Sequence, residues 1–195
     1  PVSMVATLGG MHCGHEALLE HARKLGRSLV ASLFLNPTQF GNPVDFDRYP
    51  RDMECDLAIF GAHGVDVVFK PSVEEMYPSG SVTKVDPGPL GSVLEGEHRP
   101  GHFQTVATVV TKILTVIRPD IAVWGAKDAQ QNVIIRQLSR DLLMEIDHEI
   151  VPTVRAEDGL ALSSRNEYLS AEERKAATVV YAALAEARKL WQRGE

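Results

Sequence analysis

Residues 2–25 read VSMVATLGGMHCGHEALLEHARKL and contain the transition that decides the fold. Val2–Leu8 is a short, largely apolar run that ends at two glycines, which predicts a buried strand. In Gly14–Leu25, leucine and alanine side chains recur at helical spacing, which predicts an amphipathic helix. The chain therefore opens with a strand that is joined to a helix by a glycine-rich turn, and this turn carries two histidines.

The same alternation of elements continues along the chain. Further strands are predicted at Leu29–Leu35, Val65–Phe69, Ile121–Trp124 and Ile146–Val151, and helices at Glu54–His63, Val106–Ile117 and Gln130–Leu143. Strands that alternate with helices predict an α/β fold with a parallel sheet covered on both faces. Ligands of such sheets bind at the carboxyl ends of the strands. Glycine and polar clusters follow Leu8, Leu35 and Trp124, so we expect a ligand site there.

The character of the sequence changes after Val151. Residues 152–169, PTVRAEDGLALSSRNEYL, are polar and typical of a loop. Ser170 and Glu173 form a capping box, which predicts one long helix over residues 171–191. Because a lone amphipathic helix cannot bury its own apolar face, we expect a second domain. The predicted first domain is 1–153, and 154–195 is predicted to be a mobile loop and the first helix of a truncated C-terminal domain.

Composition excludes several classes of function. The formal net charge is -6, which disfavours a broad attraction to nucleic acid or anionic lipid. No apolar run approaches the ~20 residues that a membrane helix needs, and we expect no signal peptide. Two cysteines, Cys13 and Cys55, are too few for a disulfide framework in a chain of 195 residues. We therefore predict a reducing, cytoplasmic compartment.

Neither zinc nor a P-loop explains His12 and His15 well. A zinc site of the H-E-x-x-H type lacks its second histidine, and no third ligand stands at a recognisable spacing, so no metal site is predicted. Gly9 and Gly14 have the spacing of a P-loop, but a histidine and a glutamate replace the lysine and the hydroxyl residue that hold phosphate and magnesium.

A third use of the two histidines is phosphate binding without a P-loop. A glycine turn lets a ligand approach the backbone, and the start of a helix offers free N–H groups to an anion. Imidazoles on the first helical turn can donate hydrogen bonds to phosphoryl oxygens. The plainer alternative is a polar helix start with a capped or exposed histidine, and this stretch alone leaves both open.

Two further clusters favour the phosphate interpretation. Lys127 and Asp128 follow the fourth predicted strand, where a lysine can hold phosphate and an aspartate can accept from ribose hydroxyls. Ser163, Ser164 and Arg165 place two hydroxyls and a guanidinium in the polar loop. Each cluster alone is typical of an ordinary surface turn, but three of them at predicted strand ends indicate a nucleotide site.

The motifs also carry a family resemblance. HCGH resembles the H-x-G-H signature of the nucleotidyltransferase superfamily, and LSSRN resembles its mobile K-M-S-K-S loop. From about Val5 to Ser170, the segments FLNPTQFG, DFDRYPRD, FKPSVEEMYP, LEGEHRPGHF, GAKDAQQ and VPTVRAEDGLALSSRNEYLS resemble the pantothenate synthetase (pantoate–beta-alanine ligase) family.

This resemblance implies a fold and an activity. The fold is a Rossmann-like, doubly wound parallel sheet followed by a smaller C-terminal lid domain, in a homodimer. The reaction is a ligation in which ATP and pantoate give pantoyl adenylate and pyrophosphate. The amine of beta-alanine then displaces AMP to give pantothenate, and Mg2+ accompanies ATP.

The resemblance also assigns residues. His15 is implied as the proton donor, with His12 beside it and Lys127 on phosphate. The implied ATP-binding residues are Leu8, Gly9, Gly10, Met11, His12, Cys13, Gly14, His15, Gly125, Ala126, Lys127, Asp128, Val154, Leu162, Ser163, Ser164 and Arg165. The implied substrate-binding residues are Gln39 and Gln131. Five more positions match the family pocket without an assigned role: Asn36, Tyr49, Asp56, Arg99 and His102.

The sequence departs from the family pattern at a few positions. Leu8 replaces the usual Met, while Ala126 and Ala129 replace an acid and an aromatic residue beside Lys127. Another nucleotidyltransferase, or an ATP-binding fragment that has lost catalysis, therefore stays an alternative. A zinc hydrolase is the remote third possibility.

Overall fold

A computed structural model describes residues 1–194 of the chain. Glu195, the last residue of the predicted second domain, lies outside the described residues. The described strands are β1 Val2–Thr7, β2 Ser28–Leu33, β3 Val67–Phe69, β4 Ile121–Gly125 and β5 Asp147–Val151. They form one five-stranded sheet in the order β3-β2-β1-β4-β5. Every pairing in it is parallel, which confirms the predicted α/β class.

Helices connect the strands and follow the sheet. They are α1 Cys13–Leu25, α2 Pro43–Arg48, α3 Met53–Ala62, α4 Val73–Met76, α5 Glu95–His98, α6 His102–Ile117, α7 Ala129–Asp141, α8 Ala171–Ala176 and α9 Val179–Gln192. Single 3-10 turns lie at Pro37–Gln39, Gly88–Gly91 and Ser164–Tyr168. Within residues 1–194, no helix is long and apolar enough to cross a membrane.

One sequence-based expectation about the helices is wrong. The helix predicted over residues 171–191 is two helices, α8 and α9, which are separated at Ala177 and Thr178. The hydroxyl of Thr178 donates to the carbonyl of Lys175 at 2.9 Å, and the amide of Val180 donates three residues back to Ala177 at 3.3 Å. This tightened turn interrupts the regular hydrogen-bond ladder. The predicted capping box at the start of α8 is present.

The core consists of two layers on opposite faces of the sheet. Because side chains alternate along a strand, neighbouring residues of β1 join different layers. Met4 packs with Val106 of α6 in one cluster, and Val5 packs with Leu19 of α1 in the other. All four side chains are almost completely buried. The continuous apolar runs of the sequence follow from this burial on both faces.

The strand order creates a crevice between β1 and β4. The chain leaves β1 through α1 towards β2 and returns through α6 to β4, on the other side of β1. The loops that follow β1 and β4 therefore diverge, and the carboxyl edge of the sheet is open between them. Such a switch point is where open α/β sheets bind ligands.

The close approach of α1 to the sheet depends on Gly26. A Cβ atom at this position would lie 2.7 Å from the backbone nitrogen of Ser3. Gly26→Ala is therefore expected to lower the free energy of unfolding by about 1–3 kcal/mol through overpacking.

Gly61→Ala is the matched control, because a Cβ there meets nothing within 4 Å. Since Gly61 lies within α3, the alanine is expected to stabilise by about 0.5–1 kcal/mol. Urea unfolding of both variants measures the two changes, and equal effects of the two substitutions would contradict the packing argument.

Candidate nucleotide and substrate site

A cavity of about 910 Å³ opens at the crevice between β1 and β4. It brings together residues from the strand ends, from α1 and α7, and from the polar loop after β5. Among the residues that line it are most of those predicted from the sequence: Leu8, His12, Gly14, His15, Gln39, Gly125, Lys127, Asp128, Gln131, Val154, Leu162, Ser163, Ser164 and Arg165. The three polar clusters of the sequence thus meet at one site.

Five of the residues predicted to bind ATP do not line the cavity. Gly9, Gly10, Met11, Cys13 and Ala126 are not among the residues that line the cavity. Gly9 and Gly10 have φ angles of 92° and 63°, which favour glycine. The glycines therefore set the path of the turn, and the cavity wall is formed by the side chains that follow it.

A buried carboxylate holds the glycine turn. Asp56 of α3 is 3% exposed, and it accepts from the amide of Gly10 at 3.1 Å and from the amide of Met11 at 2.8 Å. The sequence predicted that amides of this turn and of the helix start are free to bind phosphate. Two of these amides are instead occupied by a carboxylate of the chain itself, which fixes the turn.

The two histidines occupy two more amides. His12 Nδ1 accepts from the amide of Gly14 at 3.0 Å, and His15 Nδ1 accepts from the amide of His12 at 3.3 Å, so the pair forms a capping box. Over residues 10–15, only the amide of Cys13 has no partner in the described part of the chain. The structure thus confirms the helix cap that was one of the two alternatives, and both histidines also line the cavity.

This arrangement fixes the tautomer of both imidazoles. A ring nitrogen that accepts a hydrogen bond carries no proton, so the neutral ring carries its proton on Nε2. Burial lowers the pKa of His15 to about 3, with further contributions from the charges of His12 and Lys127. Burial and Lys127 also lower the pKa of His12. Both rings are neutral at pH 7, and each offers one N–H donor.

The turn after β4 contributes a cation and an anion. Lys127 Nζ donates to the carbonyl of Leu162 at 3.2 Å, which connects this turn to the polar loop. The carboxylate of Asp128 is open to the cavity, but the protein atoms around it raise its pKa by desolvation, and the charge of Lys127 opposes this shift. Asp128 thus provides a hydrogen-bond acceptor beside the lysine.

The polar loop is attached to the glycine turn. The hydroxyl of Ser164 donates to the carbonyl of Gly10 at 2.8 Å, and the phenol of Tyr49 donates to the carbonyl of Gly9 at 3.2 Å. These contacts account for the buried positions of Ser164 and Tyr49. The loop therefore closes one side of the cavity through specific hydrogen bonds.

Asp45 of α2 holds the guanidinium of Arg165. The Nη2 atom of Arg165 lies 2.9 Å from Oδ2 of Asp45, and Nε donates to Oδ1 at 3.1 Å. The pair raises the pKa of Arg165. Sequence reasoning missed Asp45 because it lies in an exposed helix of six residues, 120 positions from its partner.

A buried asparagine orients the amide of Gln39. Asn36 is 0% exposed, and its Oδ1 accepts from the amide of Thr38, so its Nδ2 is the remaining donor. This Nδ2 donates to Oε1 of Gln39 at 3.0 Å. The NH2 group of Gln39 is therefore left to donate into the cavity. Gln131, in the first turn of α7, lines the same cavity.

The fold and the site define a class of protein. This is an α/β protein with a polar cavity at the switch point of a parallel sheet. Two neutral histidines, Lys127 and three arginines are among the residues that line the cavity, and these donors and cations suit a small, phosphate-bearing ligand. Asp56, Asn36, Tyr49 and Arg99 each support or border this cavity.

Comparison with known proteins specifies the family. The profile of the family described as "Pantoate-beta-alanine ligase" matches residues 1–195. A pantothenate synthetase of Dehalococcoides mccartyi (strain CBDB1) is 51% identical over 195 residues, which are 100% of this chain and 73% of that protein. The chain belongs to the pantoate–beta-alanine ligase family.

Two solved structures are similar in fold and sequence. Pantothenate synthetase of Thermus thermophilus gives a TM-score of 0.95 at 51% identity, over 99% of this chain and 70% of that chain. Pantoate-beta-alanine ligase of Francisella tularensis, complexed with "Beta-gamma ATP and Beta-alanine", gives 0.89 at 37% identity, over 94% of this chain and 71% of that one. This chain is therefore a member of a ligase family with an ATP-binding representative of the same fold.

The ion pair between Asp45 and Arg165 predicts a change in loop protection. Asp45→Asn removes the charge that holds the guanidinium, so trypsin is expected to cut after Arg165 several-fold faster than in the wild type. Mass spectrometry of timed digests identifies the cut. Asp47→Asn removes the same charge from the same helix without touching the pair, and its digestion rate is expected to be unchanged. Equal rates for Asp45→Asn and the wild type would show that the pair does not hold the loop.

The low pKa of His15 predicts a pH dependence of stability. The folded-state value of about 3 lies below the ordinary value of 6.5, so the unfolded chain takes up the proton first as the pH falls. The stabilisation is complete above the unfolded pKa and is lost as the pH falls from 6.5 towards 3.

His15→Asn is the variant that tests this pH dependence, because its side-chain oxygen can still accept the amide of His12 but does not titrate. We expect the free energy of unfolding to fall less steeply below pH 6.5 in this variant than in the wild type. Urea unfolding at a series of pH values gives both curves. Parallel curves would contradict a buried, neutral His15.

Proposed function

We propose that this chain forms pantothenate from pantoate and beta-alanine through a pantoyl-adenylate intermediate, with release of pyrophosphate and then AMP. The observation that supports this most is the meeting of both histidines, Lys127 and the loop around Ser164 at one cavity. Family membership and the ligands named for the Francisella tularensis relative support the substrates.

In the first step, a carboxylate oxygen of pantoate forms a bond to the α-phosphorus of ATP, and the bond from that phosphorus to the bridging oxygen breaks. The reaction needs alignment and neutralisation of the charge that spreads over the phosphoryl oxygens. Both demands can be met by fixed hydrogen-bond donors and cations, and the cavity contains both.

His12 and His15 supply the fixed donors. Their Nδ1 atoms accept backbone amides, so each Nε2–H donates a hydrogen bond to a phosphoryl oxygen. The family resemblance implies that His15 is a proton donor. We propose that it donates a hydrogen bond instead, since a ring with a pKa of about 3 holds no second proton at pH 7. The two rings lie side by side, with centroids 4.1 Å apart, and both line the cavity.

Lys127 and Arg165 supply the positive charge. Lys127 binds the phosphates as a point charge, and the segment of residues 162–165 closes over them. Asp128 accepts from the ribose hydroxyls, and the backbone of Val154 receives adenine. Two groups of lining residues form the walls between which the nucleotide lies: Leu8, His12, Gly14 and His15 on one side, and Gly125, Lys127 and Asp128 on the other.

Gln39 and Gln131 bind pantoate beside the α-phosphate. Amide side chains suit an acid that carries hydroxyls, because each amide can both donate and accept. The NH2 group of Gln39, oriented by Asn36, donates to pantoate. Gln39 also lies near beta-alanine in the second step.

In the second step, the amine of beta-alanine forms a bond to the acyl carbon, AMP leaves with the bonding electrons, and the amine loses a proton. The adenylate must be kept from water until then. Val180 and Tyr181 of α9 line the cavity, and Arg155 stacks over the ring of Tyr181 at 4.1 Å. Residues 154–195 therefore act as the closing part of the enzyme, with residues 1–153 as its nucleotide-binding domain.

Three further points stay predictions. Magnesium accompanies ATP, the protein forms a homodimer, and it is located in the cytoplasm. Within residues 1–194, no group of three or more histidine, cysteine, aspartate or glutamate side chains is placed to hold a metal ion. Magnesium would enter with the triphosphate and would partly neutralise its charge. Light scattering of the purified chain measures the oligomeric state.

ATP–pyrophosphate exchange tests the proposed first step. The chain is expected to exchange labelled pyrophosphate into ATP when pantoate is present and not when it is omitted. Lys127→Ala removes a phosphate-binding charge and is expected to reduce the exchange at least about 100-fold, a loss typical of one electrostatic contact in a transition state. Lys24→Ala, at the exposed end of α1, is the control and is expected to keep the wild-type rate.

Other outcomes identify the alternatives. Exchange without pantoate would indicate another nucleotidyltransferase. ATP binding in a calorimeter without any exchange would indicate an ATP-binding protein that has lost catalysis.

A further inference from the structure

The guanidinium of Arg165 is held in the cavity wall by a carboxylate and two aromatic rings. Besides its hydrogen bonds to Asp45, its central carbon lies 5.5 Å from the ring centroid of Phe40 and 5.3 Å from that of Tyr49. All four side chains line the cavity. The side chain of Arg165 is nevertheless 46% exposed, so protein atoms do not enclose it. It can leave Asp45 by rotation about its own bonds.

The ion pair neutralises a charge that the proposed reaction needs. Arg165 and Lys127 are the two cations proposed to bind the phosphates, but a guanidinium bonded to a carboxylate presents little net charge to a ligand. Lys127 differs, because it donates to a neutral group, the carbonyl of Leu162. The carboxylate of Asp45 also lines the cavity, where it repels a polyphosphate. Arg165 therefore acts fully on the phosphates only after it has left Asp45.

The backbone of the polar loop already lies close to both walls of the proposed nucleotide site. Ser164, the preceding residue, donates to the carbonyl of Gly10 at 2.8 Å, which places residue 165 beside the turn that leads to the two histidines. Desolvation raises the pKa of Asp128, and the charges of Lys127 and Arg165 oppose this shift. The charge of Arg165 thus also reaches the turn after β4. A change of partner therefore needs movement of the arginine side chain and not of the loop.

We infer that Asp45 is a competing anion, which holds the guanidinium of Arg165 until the polyphosphate of ATP displaces it. The inference rests on the proposed function. In the exchange, the hydrogen bonds from Arg165 to Asp45 are broken and hydrogen bonds from Arg165 to phosphoryl oxygens form, while no covalent bond changes. Asp45 therefore lowers the affinity for ATP, in contrast to a residue that orients Arg165 towards the phosphates.

Asp45→Asn tests the direction of this effect. ATP with magnesium is titrated into the wild type and the variant in a calorimeter, with pantoate omitted so that no ATP is consumed. We expect the Kd for ATP to fall about two- to fivefold in the variant, the range that a partly exposed ion pair contributes. Adenosine, which has no phosphate, is expected to bind both proteins equally. Asp47→Asn removes the same charge from the same helix outside the pair and is expected to leave the Kd for ATP unchanged.

Arg165→Gln separates the exchange from simple charge repulsion. This variant is expected to bind ATP more weakly than the wild type, because one phosphate-binding cation is lost. When Asp45→Asn is added to it, no further change in the Kd for ATP is expected, since there is no guanidinium left to release. The two substitutions thus form a double-mutant cycle whose coupling measures the exchange. Unchanged adenosine binding by all variants shows that the site is folded in each of them.

Three results would overturn the inference. A weaker affinity of Asp45→Asn for ATP would show that Asp45 orients Arg165 for the phosphates. An unchanged affinity would show that ATP binding does not separate the pair. An equal gain from Asp45→Asn with and without Arg165 would show that the carboxylate acts by direct repulsion alone. Wild-type protein that does not bind ATP would overturn the proposed function itself, and this inference with it.

Discussion

The site depends on the pairing of backbone amides in the turn between β1 and α1. A turn that exposes consecutive amides would bind anions by itself, but it would also be free to change shape. Here the carboxylate of Asp56 occupies two amides, and the imidazoles of His12 and His15 occupy two more. The path of the turn is thereby fixed from within the protein, and these four amides are already paired.

This constraint connects folding to chemistry. Because each Nδ1 atom caps α1, each Nε2–H points in a fixed direction. In the proposed reaction these donors would need no reorganisation when charge develops on a phosphoryl group. The same turn receives Ser164 and Tyr49 from other segments, so the loop after β5 is positioned against it. Asn36 orients Gln39 in a comparable way. Supporting residues such as Asp56 and Asn36 thus determine how the residues that line the cavity are oriented.

Much of the fold could be predicted from the sequence, because apolar runs and glycine stops are local signals. The five strands and the longer helices lie within a few residues of their predicted bounds. The supporting contacts could not be predicted, since Asp56 lies 46 positions from Gly10 and Asp45 lies 120 from Arg165. The break between α8 and α9 was missed because Thr178 bonds its own helix backbone, which is compatible with a helical pattern.

The tautomeric state of the two histidines tests this account most directly. Long-range nitrogen–proton correlation spectra of the uniformly 15N-labelled, ligand-free protein report which ring nitrogen carries the proton. Spectra of His12→Asn and His15→Asn assign the signals. We expect both rings to carry their proton on Nε2, with Nδ1 unprotonated, and the signals of His15 not to titrate between about pH 5 and pH 8. A proton on Nδ1 of either ring at pH 7, or a doubly protonated His15 at about pH 6, would contradict it.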